Sequence, residues 1–131
     1  PTPMQPNKAA TDRDYNEALK VSVENLDIIS ICAGSHNDES CIYLTELMKL
    51  NNIPKNHQGI YFSQLFGMSD NISFVLGAEG YNVTKYLPYG PVRFTTPYLI
   101  RRAQENTSVA GQTGKELNMI GQELVRRRST K

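Results

Sequence analysis

Three times along the chain, a stretch with helical spacing of apolar residues is followed by a short apolar run that ends at or near a glycine. Thr11 to about Asn25 comes first, with Thr11 or Asp12 as N-cap and Tyr15, Leu19, Val21, Val23 and Leu26 as apolar positions; "DIISICAG" follows. Asn37 to Asn51, carrying Leu44, Leu47, Met48 and Leu50, leads through the loop "NNIPKNHQG" to "IYFSQLFG". Ser69 to Gly80 fits a short helix stopped by glycine, and "NVTKYLPYG" is the third run. "DIISICAG", a nearly continuous apolar run with β-branched residues, suits a strand buried on both faces, as in parallel sheets. Helix–strand alternation of this kind builds βαβ units with right-handed crossovers. The expected class is therefore α/β, with three parallel strands and flanking helices. Thr96 is expected to cap a further helix with Pro97 as its first residue, and a last helix to run from about Gly114 to Arg128. Two architectures satisfy this pattern: a small open sheet, or a slice of an eight-stranded barrel, which three strands cannot close. Either leaves two parallel edges uncovered.

The 131 residues have the length of one domain and can bury a moderate core. A hydrophobic fraction of 39% and a charged fraction of 21% are ordinary for a globular chain. The net charge of +1 provides no global field for nucleic acid or an anionic membrane. Residues 113–131 form a locally basic end with Arg126, Arg127, Arg128 and Lys131. This reads as a solvated helix C-terminus, because cations favour that end. No stacking aromatics accompany the run, so nucleic acid is not an expected partner. Cys32 and Cys41 match no metal or redox spacing and read as reduced, structural residues of an intracellular protein. A Cys41–His36 nucleophile–base pair has no further support. The N-x-S/T triplets at Asn71, Asn82 and Asn106 come without a secretory signal, and no apolar run approaches the ~20 residues that cross a bilayer. "PTPMQPNKAATDRDYNEAL" reads as the start of a linker, over residues 1–10, or of an excised piece. "GQTGKE" fails as a phosphate loop, with Val109 where glycine and Glu116 where Ser/Thr is needed. "GAEGYN" lacks the G-x-G start of a dinucleotide fingerprint.

In α/β folds, chemistry gathers at the C-terminal ends of the strands. Those ends read "GSHN" (Gly34 to Asn37), "QLFGM" (Gln64 to Met68) and "YGP" (Tyr89 to Pro91), with Tyr86 a few residues before the third end. His36 is either a cap or surface residue or a functional one. Beyond the third run, Tyr98, Arg101, Arg102 and Glu105 fall at i, i+3, i+4 and i+7 and share a helix face, while Leu99, Ile100 and Ala103 lie opposite and can pack on the scaffold. This face has two readings. One is a solvated charged surface with an Arg101–Glu105 pair worth ~0.3–0.5 kcal/mol. The other is a clamp in which two guanidiniums grip one carboxylate, Glu105 neutralises and orients one of them, and Tyr86 or Tyr98 covers the apolar part of a small ligand.

The run "PYGPV…PYLIRRAQEN", with "QLFGMSDNISF" before it and "GSHN" further upstream, closely resembles the C-terminal part of the FAD-dependent proline dehydrogenase family, from about Asp12 to Arg127. That resemblance implies a slice of a (βα)8 barrel that holds FAD at the C-terminal strand ends. It implies oxidation of L-proline to pyrroline carboxylate, with electrons passed to a membrane quinone or another acceptor. By the same resemblance, Arg101 and Arg102 match the arginines that grip the proline carboxylate, and Glu105 the glutamate paired with them near the flavin. Tyr86 matches the tyrosine on the proline ring, Leu65 an apolar pocket residue, and Ser35, His36 and Asn37 a Thr-His-Asn stretch against the cofactor. No metal is implied. The remainder of the barrel, with further flavin contacts and an Asp/Lys pair at the substrate, is implied as a partner outside this chain. The setting so implied is a mitochondrion or the bacterial cytoplasm and inner-membrane periphery, with room for peripheral membrane association. Two other classes fit the bare residues: a non-catalytic carboxylate-binding module, and an association unit that pairs through its strand edges.

Overall fold

The computed structural model describes residues 5–108 and 112–129, and the side chains of these except 103, 105–108 and 112–116. The chain divides into two compact units, one ending at Leu87 and the other beginning at Pro88.

In the first unit, Asn7 starts helix α1 (Lys8–Glu24): its Oδ1 accepts from the Ala10 N–H at 2.9 Å. The start precedes the expected Thr11 or Asp12 because Asn7 already satisfies an orphan helix donor and Ala9 and Ala10 extend the helix readily. Leu19 and Val23, four residues apart, face inward, whereas Val21 lies on the outer side and is exposed. A turn at Asn25, whose carbonyl accepts from the Ile28 and Ile29 N–H groups, delays the first strand, β1, to Ile31–Gly34. Helix α2 (Asp38–Leu50) runs between Asn37 and Asn51 as its caps, close to the expected span. Strand β2 is Ile60–Leu65, and helix α3 is Asp70–Ala78. α3 ends where Gly80 takes φ +89° and the Tyr81 N–H reaches back to the Leu76 carbonyl at 3.0 Å, a conformation glycine reaches without Cβ strain. Strand β3 is Val83–Tyr86. It is shorter than expected, so Tyr86 is the last strand residue and Tyr89 to Pro91 lie beyond it.

The three strands are parallel in the order β1-β2-β3. Burial alternates instead of covering both faces. Ile31, Ala33, Ile60, Phe62 and Gln64 are buried, while Cys32, Gly34 and Tyr61 are exposed. The buried set packs with Leu19 and Val23 of α1, Leu44, Leu47 and Met48 of α2, and Ile72 and Leu76 of α3. Helices therefore cover one face of the sheet. Lys85 lies on the covered side, where its ammonium donates to the Met68 carbonyl at 2.7 Å and to Asp70 at 2.8 Å, tying β3 to the loop before α3. Asn82 is likewise engaged, its amide donating to the His57 and Ile60 carbonyls.

In the second unit, helix α4 is Val92–Ser108 and α5 is Gln112–Ser129. α4 starts four residues before the expected Thr96 cap, and Pro97 lies inside it. The first turn forms on the Pro91 carbonyl, which accepts from the Phe94 and Thr95 N–H groups. Pro91 therefore stands just before the helix, and Val92 occupies the first helical position expected of Pro97. On α5, Glu123 pairs with Arg126 at 2.7 Å and Arg127 at 2.9 Å, which holds its carboxyl well below the usual range, at about 2.

Phe62 is fully buried and meets Tyr81 edge to face at 5.6 Å. Phe62→Ala should lower unfolding free energy by ~3–5 kcal/mol, against less than ~1.5 kcal/mol for a conservative Phe62→Leu, as read by urea titration. Equal midpoints for both would remove Phe62 from the core.

Candidate functional site

The C-terminal ends of β1 and β2 are joined by polar groups. After Gly34 the chain turns through Ser35, His36 and Asn37. The Ser35 hydroxyl accepts from the Asn37 N–H at 3.1 Å, and the Asn37 side chain accepts from the Glu39 N–H at 3.2 Å. Asn37 is thus the N-cap of α2, which fixes the loop to a rigid element. The phenol of Tyr15 reaches Ser35 from α1, and burial pushes its pKa up while that hydrogen bond opposes the shift. The His36 Nδ1 lies 2.8 Å from the Ser69 hydroxyl.

Ser69 has an unusual backbone. It is the N-cap of α3, yet it takes φ 49° and ψ 43° and makes no side-chain cap hydrogen bond. A left-handed serine costs roughly 1–2 kcal/mol, and a lost cap costs about 1 kcal/mol more. Its carbonyl accepts from the Ser73 hydroxyl at 3.2 Å, which also lies 3.0 Å from the Gln64 Oε1. The Gln64 amide in turn donates to the Ser35 carbonyl at 3.2 Å. Gln64 is only 2% exposed, so these bonds are needed to offset its desolvation. The sequence reading passed over Gln64, Ser69 and Ser73. A signal was present: counting by twos from Ile60 and Phe62 puts Gln64 on the helix-covered side, where an unbonded amide would be costly.

The opposite side of the sheet carries Cys32, Tyr61, Ser63, Leu65, Thr84 and Tyr86. Leu65 and Tyr86 are direct partners in the β2–β3 register, and each is the last residue of its strand. The Phe66 N–H donates to the Tyr86 carbonyl at 3.0 Å, which keeps the two chains paired one step further. Two of the residues named for a small ligand thus lie side by side on the uncovered face. A cavity of 430 Å³ between α2 and α3, lined in part by Ile42, Thr45, Ile72 and Val75, contains none of the named residues.

Tyr98, Arg101, Arg102 and Glu105 all belong to α4 of the second unit. The shared face is realised where it is described: the Arg102 guanidinium sits 5.4 Å from the Tyr98 ring centroid, an i,i+4 cation–π contact. Arg101 is exposed and Arg102 partly shielded. The Glu105 side chain, and with it the Arg101–Glu105 pair, lies outside the described side chains. Leu99 and Ile100, expected to pack, are 50% and 52% exposed; helical spacing separates the two faces of α4 but does not supply something for the apolar one to cover.

Both cysteines are free, with Cys41 buried and Cys32 exposed. Burial, and then the Asp38 carboxylate, push the Cys41 thiol up to about 11, the reverse of what a nucleophile needs. Among the described residues no group of His, Cys, Asp and Glu could hold a metal ion, and no helix is long and apolar enough to cross a membrane.

Parallel βα units covered on one side, with polar loops at the strand ends, match the arrangement of an α/β barrel. The family model described as proline dehydrogenase matches residues 1–115. The chain belongs to the proline dehydrogenase family, and its three strands with their helices form a slice of that family's (βα)8-type barrel. It is 40% identical over 98% of its length to "Proline dehydrogenase 1, mitochondrial" of Homo sapiens and 38% identical over 98% to the protein of that name in Caenorhabditis elegans, and covers 22% of each. It is also 41% identical over 95% of its length to the "Hydroxyproline dehydrogenase" of Xenopus laevis, covering 28% of it. The crystal structure of proline utilization A from Bdellovibrio bacteriovorus, inactivated by N-propargylglycine, matches 83% of the chain with a TM-score of 0.75 and 33% identity, over 11% of that larger chain. The chain thus spans under a third of the length of these relatives.

The raised Cys41 pKa makes a stability prediction. The unfolded thiol ionises near 9.0 and the native one near about 11, so the native state is favoured in full below pH 9 and loses this contribution as pH rises towards 11. Urea midpoints should therefore fall more steeply over this interval in the parent protein than in Cys41→Ala. Parallel slopes would show that the thiol ionises equally in both states.

Proposed function

We propose that this chain is the part of a proline-oxidising flavoenzyme that holds the substrate's carboxylate and ring and one flank of FAD. The observation that carries the reading is the pairing of Leu65 with Tyr86 at the last step of β2 and β3, on the face opposite α1, α2 and α3. At the neighbouring end of β1, Ser35, His36 and Asn37 offer a hydroxyl, an imidazole and an amide, all half-buried. These groups fit a flavin cofactor: a flat, hydrogen-bonding ring system needs an apolar floor with polar groups at its rim. The names of the human and worm relatives support proline as substrate. Those names also support a mitochondrial setting, with a bacterial one supported by the Bdellovibrio relative.

In this reading Arg101 and Arg102 bind the substrate carboxylate. Two guanidiniums on adjacent residues repel each other, and a bound carboxylate offsets that repulsion. Glu105 neutralises the pair when the substrate is absent and orients it when present. Tyr86 and Leu65 pack on the ring and exclude water from it, and Tyr98 shields one face of Arg102, favouring a single orientation of that guanidinium. Ser35, His36 and Asn37 contact the cofactor and are kept in place by the α2 cap. FAD, when bound, supplies the hydride acceptor; a quinone is the proposed final acceptor, reached by peripheral association with a membrane. The residues of the chain set register and environment, which is the protein's share of such chemistry.

Arg101→Met and Arg102→Met in the full-length enzyme should each reduce kcat/KM for L-proline by the equivalent of ~2–5 kcal/mol, with flavin content retained. Unchanged kcat/KM would sink the carboxylate clamp. Hydroxyproline should be assayed in parallel, because the Xenopus relative so named is equally similar. The 131-residue chain on its own should neither retain FAD nor reduce a dye with proline, since three strands provide only part of a cofactor wall; turnover by the pure chain would refute this.

A further inference from the structure

We propose that Ser69, Ser73 and Gln64 are positioning residues that lock the Ser35–Asn37 loop, and His36 within it, in the orientation that contacts the flavin. The inference rests on the reading of residues 35–37 as cofactor-binding.

Three independent observations point to it. First, Ser69 holds a left-handed conformation that serine takes up only under constraint, and such outliers collect where geometry serves a function. Second, its hydroxyl does not cap α3 but lies 2.8 Å from the His36 Nδ1, 33 residues away in sequence. Third, the adjoining bonds close a ring. Ser73 bridges the Ser69 carbonyl and the Gln64 Oε1, and the Gln64 amide returns to the Ser35 carbonyl beside His36. The ring thus grips the loop at two successive residues, one through its backbone and one through its side chain. Either contact alone would leave a rotation open; together they fix both the path of the loop and the plane of the imidazole.

Gln64, Ser69 and Ser73 are 2%, 3% and 6% exposed. Gln64 points to the helix-covered side, away from the face that carries Leu65 and Tyr86. They act through the loop, not by touching substrate or cofactor.

The test uses Ser69→Gly, which removes the hydroxyl and at the same time relieves the left-handed backbone. A purely structural serine would be replaced by glycine with no loss. In the full-length holoenzyme, Ser69→Gly should leave the melting temperature of the apoenzyme equal or higher. It should raise the FAD dissociation constant, read by flavin fluorescence, about three- to tenfold, the effect of one lost hydrogen bond. His36→Ala should raise it as well. In the His36→Ala background, Ser69→Gly should add nothing, because the serine works through the imidazole. An unchanged dissociation constant for Ser69→Gly beside a raised one for His36→Ala would overturn the proposal and leave the loop reading standing. Additive effects would also overturn it, by showing that Ser69 acts independently of His36. If His36→Ala leaves FAD binding unchanged, the cofactor reading of the loop fails, and the positioning role with it.

Discussion

A sheet has two faces, and the helices of the first unit, α1 to α3, cover only one. Ile31, Ala33, Ile60, Phe62 and Gln64 point into the helical layer, while Cys32, Tyr61, Leu65 and Tyr86 point the other way. Burial supplies the driving force on the first side, at roughly 25 cal/mol per Å² of apolar surface. On the second side α1, α2 and α3 supply no such cover. In a closed barrel that face looks inward, where its outermost layer is available to a ligand. The division of labour follows directly: alternate residues of each strand hold the fold, and the residues between them face away from the helical layer.

Polar groups at the strand ends obey a second constraint. Gln64 continues the buried series of Ile60 and Phe62, and a bare amide there would cost more than its packing returns. Ser73 and the Ser35 carbonyl satisfy it, and the adjoining His36–Ser69 contact joins two loops that the sequence separates by some thirty residues. Lys85 does comparable work on β3, reaching the Met68 carbonyl and Asp70. The loop between β2 and α3 is therefore tied on both sides, to β1 through His36 and Gln64 and to β3 through Lys85. Loop residues held by such bonds can present functional groups with little reorganisation.

On α4 the governing interaction is electrostatic. Arg101 and Arg102 place two positive charges on consecutive residues, and the Tyr98 ring takes up one of them through its quadrupole. A helix can carry such a pair on its surface, but only an anion that meets both guanidiniums makes use of their adjacency. The proposed substrate carboxylate would be such an anion.

The order of helices and strands was legible because helical spacing and short apolar runs ending near glycine are written residue by residue, and so was the span of α2 from about Asn37 to Asn51. The motif around Arg101 and Arg102 was legible for a similar reason, since helical spacing alone puts Tyr98, Arg102 and their neighbours on one face. Other features were decided by competition between distant or alternative groups. α4 begins at Val92 and not at Pro97 because its first turn closes on the Pro91 carbonyl, a bond that residue spacing does not announce. The strands proved buried on one face because an apolar run records hydrophobicity, not which neighbours are present to cover it. The register that sets Leu65 beside Tyr86, and the ring that links Ser35 and His36 to Gln64, Ser69 and Ser73, exist only once strands far apart in sequence lie side by side. Local periodicity thus fixed the elements, and tertiary contact alone decided which side chains meet, because hydrogen bonds depend on positions in space that no spacing along the chain encodes.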